Sequence, residues 1–366
     1  MQYLFLYKEL IPIEAFLLAF IITFLAIPSI VDVSRIKHLY DVPNGRTSHK
    51  ANTPTLGGLA IFAGFVISSM IFLHIPDIPY IQYVIAGIIV VFFIGLKDDV
   101  IAIAPMTKFI GQLFAATIII DLGDIRLTGL YGLFGVTDIG YYGSDLLTIF
   151  VIIAIVNAFN LIDGIDGLAA GVGILASAVF GFWFFEVGQL QLAILACALI
   201  GSLLAFAWFN VFSKKRKIFM GDIGSLLLGF IMSIFAIKFN DLNAALGAHP
   251  MRVVAAPAVS IGILIVPIYD TIRVFILRMV HGRSPFLPDR EHVHHYMIEL
   301  TGNHGKATAI ILAVNVLFII LALLLSNLRN YQLFLILIFA AAMVSSIPYV
   351  LVKRKRKRLA AEQTTT

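Results

Sequence analysis

The residues best suited to chemistry fall into a few polar clusters in an otherwise apolar chain. Asp98 and Asp99 close the stretch Gly95-Leu-Lys-Asp-Asp99. Adjacent carboxylates repel each other and are costly beside hydrocarbon. A divalent cation would relieve both problems. Helical neighbours point about 100° apart, so one carboxylate can hold a metal while the other faces a reactant. A solvated helix end, helped by Lys97, is the plainer alternative. The second cluster is Asn157-Ala-Phe-Asn160-Leu-Ile-Asp163-Gly-Ile-Asp166-Gly-Leu168. Its polar residues recur at every third position and drift by about 60° per step on a helix. Gly164 and Gly167 can break the helix, and the amides and carboxylates could read a base and a ribose. The third is Met220-Gly-Asp222-Ile-Gly-Ser225, after the basic run Lys214-Lys-Arg-Lys217. Asp222 there either caps a helix or ligates a metal.

A fourth cluster is cationic. Arg290-Glu-His292-Val-His294-His295 holds three histidines and an arginine within six residues. Without cysteine nearby, a phosphate site is a better reading than zinc, and the acidic clusters suit a hard cation. Arg46, His49 and Lys50 add phosphate candidates in an earlier loop, followed by Gly57-Gly58, which can serve close helix packing. Carboxylates for a metal, cations for phosphate and polar groups for a base together fit nucleotide chemistry at a membrane surface.

The elements that must position these clusters are membrane helices. Hydrophobic residues make up 60% of the 366-residue chain and charged residues 13%. Soluble domains run at roughly 45–50% and 25%, so lipid is the expected solvent. Eleven apolar stretches are long enough to span, near 10–30, 56–74, 80–96, 107–121, 146–162, 167–186, 190–212, 222–240, 257–279, 307–325 and 331–352. The fold expected is an all-α polytopic membrane protein. Residues 1–352 are expected to form one transmembrane domain and 353–366 a basic tail. The first stretch reads as a retained helix, not a cleaved signal. Of the 26 Lys and Arg, only Lys8, Arg126, Lys238, Arg252 and Arg329 fall on one side, which leaves 21 on the other. The crowded side is expected to be cytoplasmic, with the N-terminus outside and the C-terminus inside. Every polar cluster lies on that side. The outer loop 122–145 can make a small hairpin, and the single cysteine, Cys197, reads as a small core residue.

As an ordered set, these motifs resemble the polyprenyl-phosphate N-acetylhexosamine-1-phosphate transferase superfamily. The residues that carry the likeness are Arg46 to Gly58, Asp98-Asp99, Asn157 to Leu168, Met220 to Ser225 and Arg290 to His295. The resemblance implies transfer of a sugar phosphate from a UDP-sugar to a polyprenyl phosphate, release of UMP, and dependence on Mg²⁺, with Mn²⁺ as an alternative. Arg290-Glu-His292-Val-His294-His295 looks like the branch that uses UDP-N-acetylglucosamine. The peptidoglycan branch, with UDP-N-acetylmuramoyl-pentapeptide, usually has three consecutive histidines, and Val293 interrupts that run here. Many relatives carry a third acidic residue at the position of Ala102.

The resemblance assigns the metal to Asp99 and Asp222, and phosphate charge to Arg290, His292, His294 and His295. Asn157, Asn160, Asp163 and Asp166 would hold uridine and sugar, with Arg46, His49 and Lys50 on phosphate. Asp98 is the superfamily's candidate base. A phosphate monoester has a second pKa near about 6, so at neutral pH a base gains little, and orientation or metal binding is the alternative role. The partners expected are the UDP-sugar, undecaprenyl phosphate and a bacterial inner membrane, with no nucleic acid and a homodimer left open. A transporter is the non-enzyme rival, although transporter sites usually lie near the bilayer midplane.

Overall fold

The structure is a computed structural model, which describes residues 8–41, 53–282 and 292–364. In hydrocarbon every backbone N–H and C=O must be paired within the protein, which leaves helices as the answer for apolar stretches of this length. The helices are α1 (Ile11–Ile36), α2 (Gly57–Phe72), α3 (Ile81–Val100), α4 (Pro105–Thr117), α5 (Gly140–Ile162), α6 (Leu168–Glu186) and α7 (Leu190–Ala207). After these come α8 (Gly221–Ala245), α9 (Ala256–Ile263), α10 (Ile265–Val280), α11 (Val293–Thr301), α12 (His304–Leu324) and α13 (Asn330–Thr364). The strands among the described residues are β1 (Tyr40–Asp41) and β2 (Thr53–Pro54), an antiparallel pair.

Nine described helical segments are long and apolar enough to cross a membrane, and the bent pair α9–α10 would make a tenth. The shorter α2 occupies the second expected stretch. The chain is therefore a multi-pass membrane protein. The ninth expected span, 257–279, is not straight: α9 and α10 meet at 85°. Pro267 explains the break, because it has no N–H to offer a carbonyl of the preceding turn and is tolerated only in the first turn of α10. The fourth expected span is α4 followed by a π turn over Ile118–Leu122. The loop 122–145 contains no strand pair among its described residues. Gly132, with positive φ, turns the chain, and Ser144 Oγ ties it down by donating to Leu127 O at 2.7 Å. The basic run Lys353–Arg358 continues α13 as helix. Cys197 is half-buried with a free thiol.

The core is organised around α8. Of its apolar window 94% is buried, against 22% for α1, so α8 faces protein on all sides and α1 faces lipid along one. Phe230 and Phe235 are fully enclosed. Helices α2, α3, α5 and α6 pack directly on it. A buried central helix keeps a fixed position, and its N-terminus is where the polar clusters meet.

Candidate active site

The acidic pair reaches α8 because of one glycine. A methyl on Gly95 would lie 2.5 Å from Ile223 Cα and 2.8 Å from the carbonyl carbon of Asp222. Only glycine lets the backbones of α3 and α8 approach this closely. One turn further on, Asp99 reaches the first turn of α8. Its Oδ1 accepts from Asp222 N–H at 2.8 Å and its Oδ2 from Ile223 N–H at 3.0 Å. Asp99 thus caps α8 from a neighbouring helix and meets its positive dipole end. The capping role that sequence offered Asp222 belongs to Asp99.

The Asp222 side chain points instead into a charge cluster. Lys108 Nζ, from the first turn of α4, lies 2.7 Å from Asp222 Oδ2 and also pairs with Asp98. Asn160 donates to Asp222 Oδ1, and to Ser225 Oγ at 2.9 Å. Asp98 Oδ1 accepts from Ile103 N–H at 2.8 Å. Two carboxylates from α3 and α8 therefore share one ammonium, steadied by an amide from α5. Sequence reasoning missed Lys108. It stands alone in its stretch, and nothing in its spacing from Asp222, 114 residues away, signals the contact.

The second cluster breaks the helix as expected. Helix α5 ends at Ile162, and Gly167 adopts positive φ (77°) before α6 begins. Asp163 lies in the break beside the cleft. Burial, and then the charges of Asp222, Asp99 and Asp166, push its carboxyl well above the usual carboxylate range. Gly164 lies under His294, whose Nε2 would be 2.7 Å from a methyl placed there. The other two members stand behind the cleft. Asn157 donates to Gln112 Oε1 at 2.9 Å and to Ile153 O at 2.8 Å. Asp166 pairs with Lys217 at 2.6 Å, and its carbonyl accepts from Thr308 Oγ1 at 2.7 Å. Asn210, also missed from sequence, locks the break: it accepts from Gly167 N–H at 2.7 Å and donates to Ile218 O at 2.8 Å. A π turn over Trp208–Phe212 aims it there.

The histidines are placed by Asp270 of α10, a third residue absent from the sequence reading. Asp270 Oδ2 is 2.9 Å from His292 Nδ1, and its Oδ1 accepts from Val293 N–H at 3.0 Å and from Arg273 at 3.0 Å. One carboxylate thus orients an imidazole and caps α11. The rings of His292, His294 and His295 cluster, with centroids 4.2 Å apart for His294 and His295. Burial, reinforced by His295, lowers His294 to about 3, so it is neutral at physiological pH. Its buried Nδ1 has no hydrogen-bond partner among the described residues, so the neutral ring can still serve a phosphate as a hydrogen-bonding group. Arg46, His49, Lys50 and Arg290 lie outside the described residues.

These groups line one cleft of about 360 Å³, bounded by Asp99, Asn160, Asp163, Asp222, Arg278 and the three histidines. A second cavity of about 390 Å³ shares His294 with it, and is walled by apolar residues such as Ile265, Met297, Ile311 and Phe318. The cleft is polar and the cavity apolar, so an amphiphile could place its charged head in one and its tail in the other.

The donor set fits a hard divalent cation. Lys108 already places positive charge between Asp98 and Asp222. Among the described residues no three His, Cys, Asp or Glu side chains converge to hold a metal by themselves. Mg²⁺ is commonly held by one or two carboxylates with substrate phosphates and water completing the shell, and this arrangement offers that.

A family model described as Glycosyl transferase family 4 matches residues 81–240, from the start of α3 to within α8. The undecaprenyl-phosphate alpha-N-acetylglucosaminyl 1-phosphate transferase of Escherichia coli strain K12 is 31% identical over 265 residues, covering 71% of this chain and 69% of its own. That of Yersinia pestis is 30% identical over 264 residues, with the same coverage. A Bacillus subtilis strain 168 protein named "Probable undecaprenyl-phosphate N-acetylglucosaminyl 1-phosphate transferase" is 30% identical over 338 residues, 91% of each chain.

Proposed function

The chain belongs to Glycosyl transferase family 4 and is a membrane phosphoglycosyl transferase, and from that premise we propose that it transfers N-acetylglucosamine-1-phosphate from UDP-N-acetylglucosamine to undecaprenyl phosphate. UMP is released. The reaction would take place at the cytoplasmic face of a bacterial inner membrane, as the first lipid-linked step of an envelope polysaccharide. The observation that carries this reading is the juxtaposition of the Asp98–Lys108–Asp222 charge cluster with a polar cleft that shares His294 with an apolar cavity. A soluble anionic donor and an anionic lipid acceptor need such a meeting point.

Both substrates are anions, so the site must supply positive charge before the acceptor oxygen can approach phosphorus. Asp99 and Asp222, both on the cleft wall, would hold Mg²⁺, whose charge would offset that of the donor diphosphate and ease the departure of UMP. Asp99 keeps both its oxygens on the α8 amides. It fixes the position of Asp222 and, since each carboxylate oxygen has a further lone pair, can still offer one toward the cleft, while Asp98 shares Lys108 with Asp222. Lys108 holds the two carboxylates in register and brings a second cation to the phosphates. Asn160 orients Asp222. Asp163, with its raised affinity for a proton, suits a hydrogen bond donated to the sugar or the base. Neutral His294 can donate to a phosphate oxygen, while Arg278 adds fixed charge at the cleft wall. The apolar cavity takes the first prenyl units. Asp98 has little reason to act as a base, since its oxygens already accept from Ile103 N–H and Lys108.

The test is a donor panel. Purified full-length protein is offered UDP-N-acetylglucosamine, its close relatives and UDP-N-acetylmuramoyl-pentapeptide, with undecaprenyl phosphate and Mg²⁺. Release of UMP with N-acetylglucosamine-diphospho-undecaprenol as product supports the reading. Turnover of the pentapeptide donor alone would place the chain in the peptidoglycan branch.

A further inference from the structure

A separate pocket lined by basic residues lies away from the cleft, between α11 and α13. Tyr296 of α11 and Tyr349, Val352, Lys353, Arg356, Lys357 and Ala360 of α13 enclose a pocket of about 380 Å³. The α13 members recur at i, i+3, i+4, i+7, i+8 and i+11, which places them on one helix face. Arg356 is committed elsewhere: it grips Glu299 of α11 with both arms, at 2.8 and 2.6 Å. Lys355 Nζ donates to Glu299 O at 2.8 Å. Lys353 leans toward the Tyr349 ring, 5.9 Å from its centroid. Among the described residues neither Lys353 nor Lys357 has a carboxylate partner. They stand one turn apart on a helix, where like charges destabilise each other.

The pocket sits where α13 changes character. The apolar run up to Val352 gives way to Lys353–Arg358, so the cationic wall lies at the expected lipid–water boundary. Tyr349 is partly exposed just below it, a position that suits an interfacial tyrosine. Cations above, an aromatic belt residue at the edge and apolar helix below together match a phosphate headgroup with acyl chains beneath it. We propose that the α11–α13 pocket binds the headgroup of an anionic phospholipid, with Lys353 and Lys357 as its charge partners. This site is separate from the catalytic cleft. It bears on that cleft through α11, which carries Glu299 near one end and His294 and His295 at the other.

The test measures lipid binding without reference to turnover. Full-length protein is delipidated in neutral detergent and titrated with phosphatidylglycerol, phosphatidylcholine or inorganic phosphate. Retained lipid is counted by native mass spectrometry, and thermal stability is followed in parallel. Phosphatidylglycerol should bind and stabilise, while phosphatidylcholine should not. Lys353→Gln/Lys357→Gln should weaken phosphatidylglycerol by about tenfold or more, and Lys353→Arg/Lys357→Arg should retain it. Arg354→Gln/Arg358→Gln removes the same charge outside the pocket and should leave binding near wild type. Equal losses in the two Gln pairs would overturn the pocket in favour of diffuse attraction to the basic run. Equal stabilisation by inorganic phosphate would overturn the lipid as ligand.

Discussion

Lys108 holds two carboxylates at once, and that makes it the most informative single residue beside the cleft. Lys108→Met leaves Asp98 and Asp222 facing each other uncompensated. We expect kcat to fall by about 100-fold or more, given the several kcal/mol that charge stabilisation contributes to phosphoryl transfer. Asp98→Asn separates two roles. If Asp98 is a charge partner, as its hydrogen bonds suggest, the variant stays equally impaired from about pH 6 to 9 and binds Mg²⁺ weakly. Recovery as pH rises would assign it as the base instead. His294 and Asp163 give opposite pH signatures. The folded pKa of His294, about 3, lies below its ordinary 6.5. Its contribution to stability is therefore full above 6.5 and is lost as pH falls toward 3. Asp163 is raised above 3.8, so its stabilising effect is present in acid and lost as pH rises. His294→Gln should flatten the acid limb of a Tm-against-pH curve. Asp163→Asn should raise Tm at neutral pH while lowering activity. A flat difference across pH would contradict either assignment.

At the scale of elements, the site depends on close backbone approach and on caps supplied from other helices. Gly95→Ala places a methyl against Ile223 Cα and the Asp222 carbonyl carbon, backbone atoms with no freedom to step aside. We expect a cost of about 1–3 kcal/mol and a larger fall in activity, because Asp99 would lose its grip on the α8 amides. Asp270→Ala strips His292 and Val293 N–H of their shared acceptor. Hydrogen exchange should accelerate across α11, with each buried unsatisfied group costing about 1–3 kcal/mol. Unchanged protection of residues 293–301 would show that α11 is held by packing alone. The helical break at Gly164 and Gly167 was legible because two glycines and two aspartates interrupt an apolar run. The cap exchange between Asp99 and Asp222 was not, since either aspartate meets the local rule and only the crossing of α3 and α8 decides between them. Asp270, Asn210 and Lys108 were missed for a related reason. None belongs to a motif or a recurring spacing, so nothing signals its partner until the other helix is in place.

Over the whole molecule, hydropathy carried the fold. Long apolar stretches locate helices because lipid leaves the backbone no other way to pair its polar groups. The bend between α9 and α10 escaped that reading, since a sum over residues is blind to direction. Charge counting placed every polar cluster on one side, and the structure brings α3, α4, α5, α8 and α11 together at one end of the bundle, around the cleft. That convergence is what a donor in water and an acceptor in lipid require. The most direct test is UMP release from UDP-N-acetylglucosamine by the purified full-length chain, with Mg²⁺ and undecaprenyl phosphate each omitted in turn. Release should require both, return when Mg²⁺ is restored after chelation, and fall by about 100-fold or more in Asp222→Asn. Release that persists without the lipid phosphate or without the metal, or that is unchanged in Asp222→Asn, would contradict the proposed reaction at this site.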